Sequence, residues 1–403
     1  MSARIDPPAW LREPALVAVL DALEAAGGEG VARCVGGCVR DSLVGRPVAD
    51  IDIATLLTPD QVQRALKAKG LKSAPTGIEH GTVTAIANGR PFEVTTLRRD
   101  VETDGRRAVV AFTTDWAEDA ERRDFRLNAL YLDRGGEIFD PTGGGVEDAL
   151  AGRIVFVGEA GARIREDYLR ILRFFRFRAW YGQGAPDAEA LRACAELKEG
   201  LAALSGERVS KELLKLVAAP DPAPAVRLMA ESGALGVVLP EAGDLMRFER
   251  LVGLSADPLL RLAALLPDDP ERVRATARRL RLSNAAAARL VAAAEGPVPL
   301  DLDPPSARRR LYAIGALPFA DRALLTAAAA GGDPQPLLAV AQAWERPRLP
   351  VDGGDAKALG LAEGQAVGEA LRAVEAWWIE QDFAPDRAQA LERLAQAAAA
   401  AVR

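Results

Sequence analysis

Between Val35 and Thr55 the chain reads VGGCVRDSLVGRPVADIDIAT, and no other stretch restricts the fold as much. The apolar run Val31 to Val35 predicts a strand, Gly36-Gly37 a tight turn, Cys38 to Val44 a helix, and Asp50 to Ile53 a second strand. Side chains two apart on a strand point the same way, so Asp50 and Asp52 share a face. The two glycines permit close backbone approach, and the helix behind them offers free N–H groups to a phosphate. Arg40, one turn in, adds charge-assisted hydrogen bonds. Two carboxylates beside such a cradle suit Mg²⁺ and a triphosphate, because Mg²⁺ takes one or two carboxylates together with phosphate oxygens. Separately, the glycine pair and the two acids describe an ordinary turn and a solvated strand; their order and spacing make the pattern specific.

Around this stretch, helices and strands mix. Residues 10–26 and 59–69 carry helical spacing, and GTVTAIANGRPFEVTTL predicts a hairpin turning at Asn88-Gly89. A helix over 117–129 and a hairpin through LYLDRGGEIFDPTGG follow. Residues 98–115 are polar, contain Asp104-Gly105, and read as a mobile loop or an ordinary surface loop. Past about residue 153, Ala, Leu and Arg recur at helical period, with Pro and Gly punctuation at 220–224, 267–270, 304–305 and 331–336. The predicted class is α+β: a small mixed or antiparallel sheet with helices, followed by an all-helical region. At 403 residues the chain has room for several domains.

Composition excludes more than it selects. One histidine, His80, rules out His-rich metal sites and paired His/Asp phosphohydrolase chemistry. Three cysteines, Cys34, Cys38 and Cys194, make no disulfide framework and lack zinc spacing, which implies a reducing compartment. The N-terminus lacks a signal-peptide pattern and no run of 18 apolar residues exists, so the expected location is cytoplasmic, without membrane association. A net charge of −6 speaks against indiscriminate binding to nucleic acid, yet residues 163–178 hold six Arg against Glu166 and Asp167, a local +4.

Further motifs stand in order along the chain: Arg122-Arg123-Asp124-Phe125-Arg126-Leu127-Asn128-Ala129, then Asp140-Pro141-Thr142-Gly143-Gly144 with Ala151-Gly152-Arg153-Ile154. The last is Glu166-Asp167-Tyr168-Leu169-Arg170-Ile171-Leu172-Arg173-Phe174-Phe175-Arg176-Phe177. With G-G-x-V-R-D-x-L-x-G-R and D-x-D, these resemble the bacterial-type tRNA nucleotidyltransferase (CCA-adding) and poly(A) polymerase family of the polymerase-beta-like nucleotidyltransferase superfamily. The resemblance covers about residues 30–240. Position 126, often Thr in that family, is Arg here, an extra cation near the expected site.

The resemblance implies a nucleotidyltransferase head at 1–152, a nucleotide-selecting neck at 153–240 and a helical body and tail at 241–403 that binds RNA. The expected activity is template-independent addition of the 3′-terminal CCA of tRNA from CTP and ATP by two-metal transfer with Mg²⁺. Poly(A) synthesis and addition of CC or A alone are the alternatives, the retained Asp50 and Asp52 speak against a non-catalytic RNA-binding scaffold, and no protein partner follows from the sequence. Asp50 and Asp52 are the expected metal ligands, and Glu93 is either a third active-site acid or a solvated strand carboxylate. Gly36, Gly37, Arg40, Arg123, Asp167, Arg170, Arg173 and Arg176 are the expected nucleotide ligands. At residues 164–178, read as one helix, Asp167, Arg170 and Arg173 form a stripe that Arg176 extends. One carboxylate and one guanidinium complement the amino donor and ring acceptor shared by cytosine and adenine; uracil and guanine present the reverse polarity. The Arg-rich stretches 272–281 and 308–310 are either tRNA backbone contacts or solvated faces. His80 and the thiols at 34 and 38 have packing roles.

Overall fold

A computed structural model describes residues 3–103 and 108–401. Two compact units divide the chain, Met1–Ala242 and Gly243–Arg403. In the first unit the strands are β1 (Ala3–Arg4), β2 (Ala32–Val35), β3 (Asp52–Thr55), β4 (Lys72–Gly77), β5 (Thr82–Ala87), β6 (Arg90–Thr96), β7 (Arg98–Thr103), β8 (Ala108–Phe112), β9 (Tyr131–Leu132) and β10 (Glu137–Phe139). Eight form one sheet in the order β1-β10-β9-β2-β3-β6-β5-β4, while β7 and β8 pair separately. Every pairing in the large sheet is antiparallel except β3 with β6.

Alternation along the strands sorts core from site. Ile51, Ile53 and Val94 join a large apolar cluster with helices α1 (Pro14–Gly27) and α3 (Pro59–Ala68), which carries Leu16, Leu20, Leu23, Val62 and Leu66. The opposite parity puts Asp52, Ala54 and Glu93 on the other face, where a smaller cluster of Val35, Ala54, Leu97, Ala129 and Tyr131 leaves room for polar groups. The hairpin forms as expected: Asn88 and Gly89 both have positive φ (51° and 77°), as a two-residue β5–β6 turn requires.

Helices α2 (Gly37–Leu43) and α4 (Trp116–Glu121) flank this polar face. Downstream run α5 (Gly145–Ala151), α6 (Ala160–Glu166), α7 (Leu169–Tyr181), α8 (Ala188–Glu196) and α9 (Gly206–Val217). Beyond α9 the chain is helical to Ala401, and no helix among the described residues is long and apolar enough to cross a membrane.

Four expectations need correction, the simplest being His80, which is exposed rather than packed. The segment 98–115 is a β7–β8 hairpin rather than an irregular loop, its register running from Arg98 opposite Phe112 to Thr103 opposite Ala108; Asp104-Gly105 lies outside the described residues. Its Val101, Val109 and Val110 are strand formers that the surrounding polar residues masked. The helix expected at 117–129 stops at Glu121, because the Asp124 carboxylate accepts from the Phe125 N–H (2.9 Å) and from Asn128 Nδ2 (3.1 Å) and turns the chain into a bridge with Phe156. The helix expected at 164–178 is broken at Asp167, whose extended backbone (φ −156°) separates α6 from α7. There Asp167 Oδ1 accepts from the Leu169 N–H at 3.1 Å, a local bond that competes with helix continuation.

Candidate active site

Asp52 is the first residue of β3, paired with Val35 of β2 on one side and, in parallel register, with Glu93 of β6 on the other. Paired residues on adjacent strands present their side chains to the same face, so the Glu93 carboxylate stands beside that of Asp52. Asp50 lies just before the strand rather than in it, but its charge still acts on Asp52. Burial first, then repulsion by Glu93 and by Asp50, raise the Asp52 carboxyl above its ordinary 3.8, while Arg123 opposes the rise. Carboxylates that repel one another in this way suit a hard cation. Among the described residues no three His, Cys, Asp or Glu side chains close into a metal cage.

Next to Asp52 the chain turns at Gly36, whose φ of 76° and ψ of −119° only glycine adopts without strain. A Cβ there would lie 3.6 Å from Arg123 Nη1, which places that guanidinium directly against the glycine turn. Arg123 is held by Asp119 (3.1 Å) and lies over the Tyr131 ring at 5.4 Å. Its buried Nε has no hydrogen-bond partner, a donor that an anionic ligand would satisfy.

Asp52, Gly36 and Arg123 open onto a cleft of about 580 Å³, whose lining does not include Asp50 or Glu93. Its walls include Gly36, Gly37, Arg40, Asp52, Arg123, Asp167, Arg170 and Arg173, eight of the eleven residues singled out from the sequence. Five polar residues not singled out join them: Arg98, Arg122, Asp124, Asn128 and Arg208. Seven arginines against three aspartates line one cavity, the charge balance of a receptor for a polyanion.

Most of these arginines are held in place by an acid. Arg173 Nε donates to Asp124 (2.7 Å), Arg170 Nη1 to Glu166 (2.6 Å) and to the Arg163 carbonyl (2.7 Å), and Arg208 Nη2 to Asp167 Oδ2 (2.7 Å). Asp167 and Arg170, expected on one helical stripe, are therefore placed differently: Asp167 sits in the break between α6 and α7, oriented by Arg208 of α9, and Arg170 sits in the first turn of α7. Two bonds use about half of the acceptor sites of the Asp167 carboxylate and leave the rest for a ligand. Arg40 is buried, with Nη1 on Asn128 (2.6 Å) and Nη2 on the Tyr181 hydroxyl (2.7 Å), so it braces the cleft wall as well as lining it.

Arg176 departs from expectation. It pairs with Glu212 of α9 at 2.8 Å and faces a neighbouring cavity instead of the cleft. Arg126 is no active-site cation either: its Nε donates to Asp148 at 2.7 Å, and Asp148, fully buried, also receives Arg153 at 2.9 Å. The D-P-T-G-G motif explains itself locally. The Asp140 carboxylate accepts from the backbone N–H groups of Gly143, Gly144 and Gly145, and a Cβ at Gly145 would come within 2.4 Å of the Arg126 carbonyl.

Two buried acids link the site to stability. Burial alone would raise Asp119, but Arg123, Arg122 and the Tyr131 hydroxyl outweigh it and hold the carboxyl below 3.8. Asp124 is likewise lowered against its burial, by Arg173 and Asn128. A depressed folded value contributes stability that is present above the unfolded pKa and lost as pH falls through the folded one. The urea-unfolding free energy is therefore expected to drop as pH falls below about 4, and Asp119→Asn to flatten that drop. An unchanged slope in the variant would remove the ion pair from the account.

Comparison with known proteins adds independent findings. Residues 32–155 match the poly A polymerase head domain, and residues 185–246 the probable RNA and SrmB-binding site of polymerase A. The chain is 35% identical over 390 residues to the mitochondrial CCA tRNA nucleotidyltransferase 1 of Mus musculus, covering 89% of this chain and 85% of that one. It is 42% identical over 221 residues to the CCA-adding enzyme of Geobacillus thermodenitrificans, about half of each chain. Its fold matches the crystal structure of the Bacillus stearothermophilus CCA-adding enzyme in complex with CTP, with a TM-score of 0.77 at 30% identity, covering 95% of this chain and 98% of that one.

Proposed function

The chain belongs to the CCA tRNA nucleotidyltransferase family, and we propose that its cleft builds or repairs the 3′-terminal CCA of tRNA from CTP and ATP without a nucleic-acid template. One observation carries the assignment of the site: a single cavity joins the Asp52 carboxylate, the Gly36–Gly37 turn and seven arginines. The solved structure of a CCA-adding enzyme bound to CTP supports the same reading.

In this reading Asp50 and Asp52 hold divalent metal, Mg²⁺ by the hardness of their oxygens. When bound, the metal lowers the charge of the triphosphate and activates the attacking hydroxyl. Gly36, Gly37, Arg40 and Arg123 receive the phosphates, and Arg173 carries further positive charge into the cleft. The 3′-hydroxyl oxygen of the RNA attacks the α-phosphorus, a new P–O bond forms, the bond to the β-phosphate bridge breaks, and pyrophosphate leaves. Glu93, beside Asp52 in register, accepts the hydroxyl proton. Asp167 takes the amino donor of cytosine or adenine while Arg170 donates to the ring acceptor, and Arg208 fixes the carboxylate. Residues 1–152 form the catalytic head, 153–240 the nucleotide-selecting neck and 241–403 the RNA-binding body. Three buried free thiols fit the cytoplasm.

The deciding experiment supplies purified protein and Mg²⁺ with tRNAs lacking CCA, ending in C and ending in CC, adding each labelled triphosphate alone and in combination. The expected products are two C residues from CTP and one A from ATP, then arrest. Long A tracts would establish poly(A) synthesis instead, and addition of one nucleotide type only would identify a partial enzyme.

A further inference from the structure

Beside the cleft lies a second cavity, of about 270 Å³, between α7 and α9. Arg40 and Phe177 line both spaces, so the two share a wall. Trp180 of α7 projects into it, half-buried and held from both ends. Its Nε1–H donates to the Lys215 carbonyl at 2.7 Å, and its own carbonyl accepts from Arg46 Nη2 at 2.5 Å. Neighbouring Tyr181 has Arg40 and Arg46 over its ring at 4.0 and 4.5 Å and stacks with Phe177. Among the described residues no ring or guanidinium covers Trp180.

The charges here also lack balance. Arg176 is neutralised by Glu212 at 2.8 Å, whereas exposed Lys215 makes no ion pair among the described residues. Desolvation and repulsion from Arg176 lower its ammonium group below the ordinary value, with Glu212, already paired with Arg176, opposing the fall. An open indole face next to an unneutralised ammonium is how a protein holds one nucleotide of a single strand, base on ring and phosphate on cation. Lys215 and Ala218 fall within the stretch that matches a probable RNA-binding site.

We infer that this side cavity holds one nucleotide of the RNA acceptor strand, its base stacked on Trp180 and its phosphate on Lys215. The inference rests on the reading that RNA is the acceptor. The shared wall selects the occupant, since a strand whose 3′ end enters the cleft passes its boundary.

The test measures equilibrium binding of CC-ended tRNA over a salt series, and of CTP, for the full chain and three variants, with thermal melting to verify folding. Trp180→Ala is expected to weaken tRNA binding about tenfold, and Trp180→Phe, which keeps a ring, to recover most of it. Lys215→Ala should lower the slope of log affinity against log salt by about one. CTP affinity should stay unchanged in all three. Because Lys215 is exposed, its variant remains informative should Trp180→Ala fail to fold. Unchanged tRNA affinity and salt slope in folded variants would overturn the inference. So would a loss of CTP affinity, which would make the cavity a mononucleotide site. Extension of tRNA by the wild-type protein is a separate readout: its failure would remove the catalytic reading while binding at the cavity was still measured.

Discussion

Asp52→Asn is expected to lower nucleotide incorporation by at least about a thousandfold while leaving tRNA binding within about twofold, because a metal contributes several kcal/mol of transition-state charge stabilisation and each 1.4 kcal/mol is tenfold. The substitution keeps size and shape at the head of β3 and removes only the charge. Its neighbours make the result specific. Burial, Glu93 and Asp50 all disfavour the Asp52 carboxylate in the metal-free protein, so the variant should be no less stable than wild type and gain slightly where the acid is ionised. For this group the sign is that a raised folded pKa contributes stability present below the unfolded value and lost as pH rises through the folded one. Loss of activity together with unchanged or higher unfolding free energy is thus expected, and substantial residual incorporation would refute the assignment. Glu93→Gln should cost less, since the proton it takes can pass to water; single-turnover rates on CC-ended tRNA separate the two acids.

Asp167→Ala has the second large effect, on selectivity rather than rate. With wild type, uracil would present a carbonyl to the Asp167 carboxylate and an N–H to Arg170, leaving like groups face to face. An unmet buried polar group costs about 1–3 kcal/mol, so discrimination of about 10- to 100-fold per contact is expected and should largely vanish in the variant. The ratio of kcat/KM for CTP and UTP on one tRNA primer reads this directly. Arg208→Ala should shift that ratio in the same direction but by less, because Arg208 orients Asp167 at 2.7 Å and the Leu169 N–H still holds the other oxygen. An unchanged CTP/UTP ratio in Asp167→Ala would end the base-pairing account.

Much of the site was readable from residues 35–55 because its logic is local: parity on a strand puts Asp52 on the face away from Ile51 and Ile53, and a glycine turn must precede α2. Glu93 was readable only as an alternative, since its registry with Asp52 depends on a parallel pairing between strands more than thirty residues apart. Arg208 could not be found, because α9 meets Asp167 through tertiary packing and nothing in its spacing marks it. A signal did exist for Arg126, next to the buried-ion network of Asp148, but one cation in an Arg-rich segment looks like any other.

The order of motifs, the alternating strand of Asp52 and the shift to helical period after residue 153 determined the α+β class and the kind of chemistry, because those properties depend on near neighbours in the chain. Tertiary structure alone decided which arginines face the cleft. Helical spacing placed Arg170, Arg173 and Arg176 on one stripe, but the Asp167 cap broke the helix and Glu212 drew Arg176 toward a second cavity. Where long side chains find their counter-ions is settled by partners distant in sequence, and pattern along the chain carries no record of them.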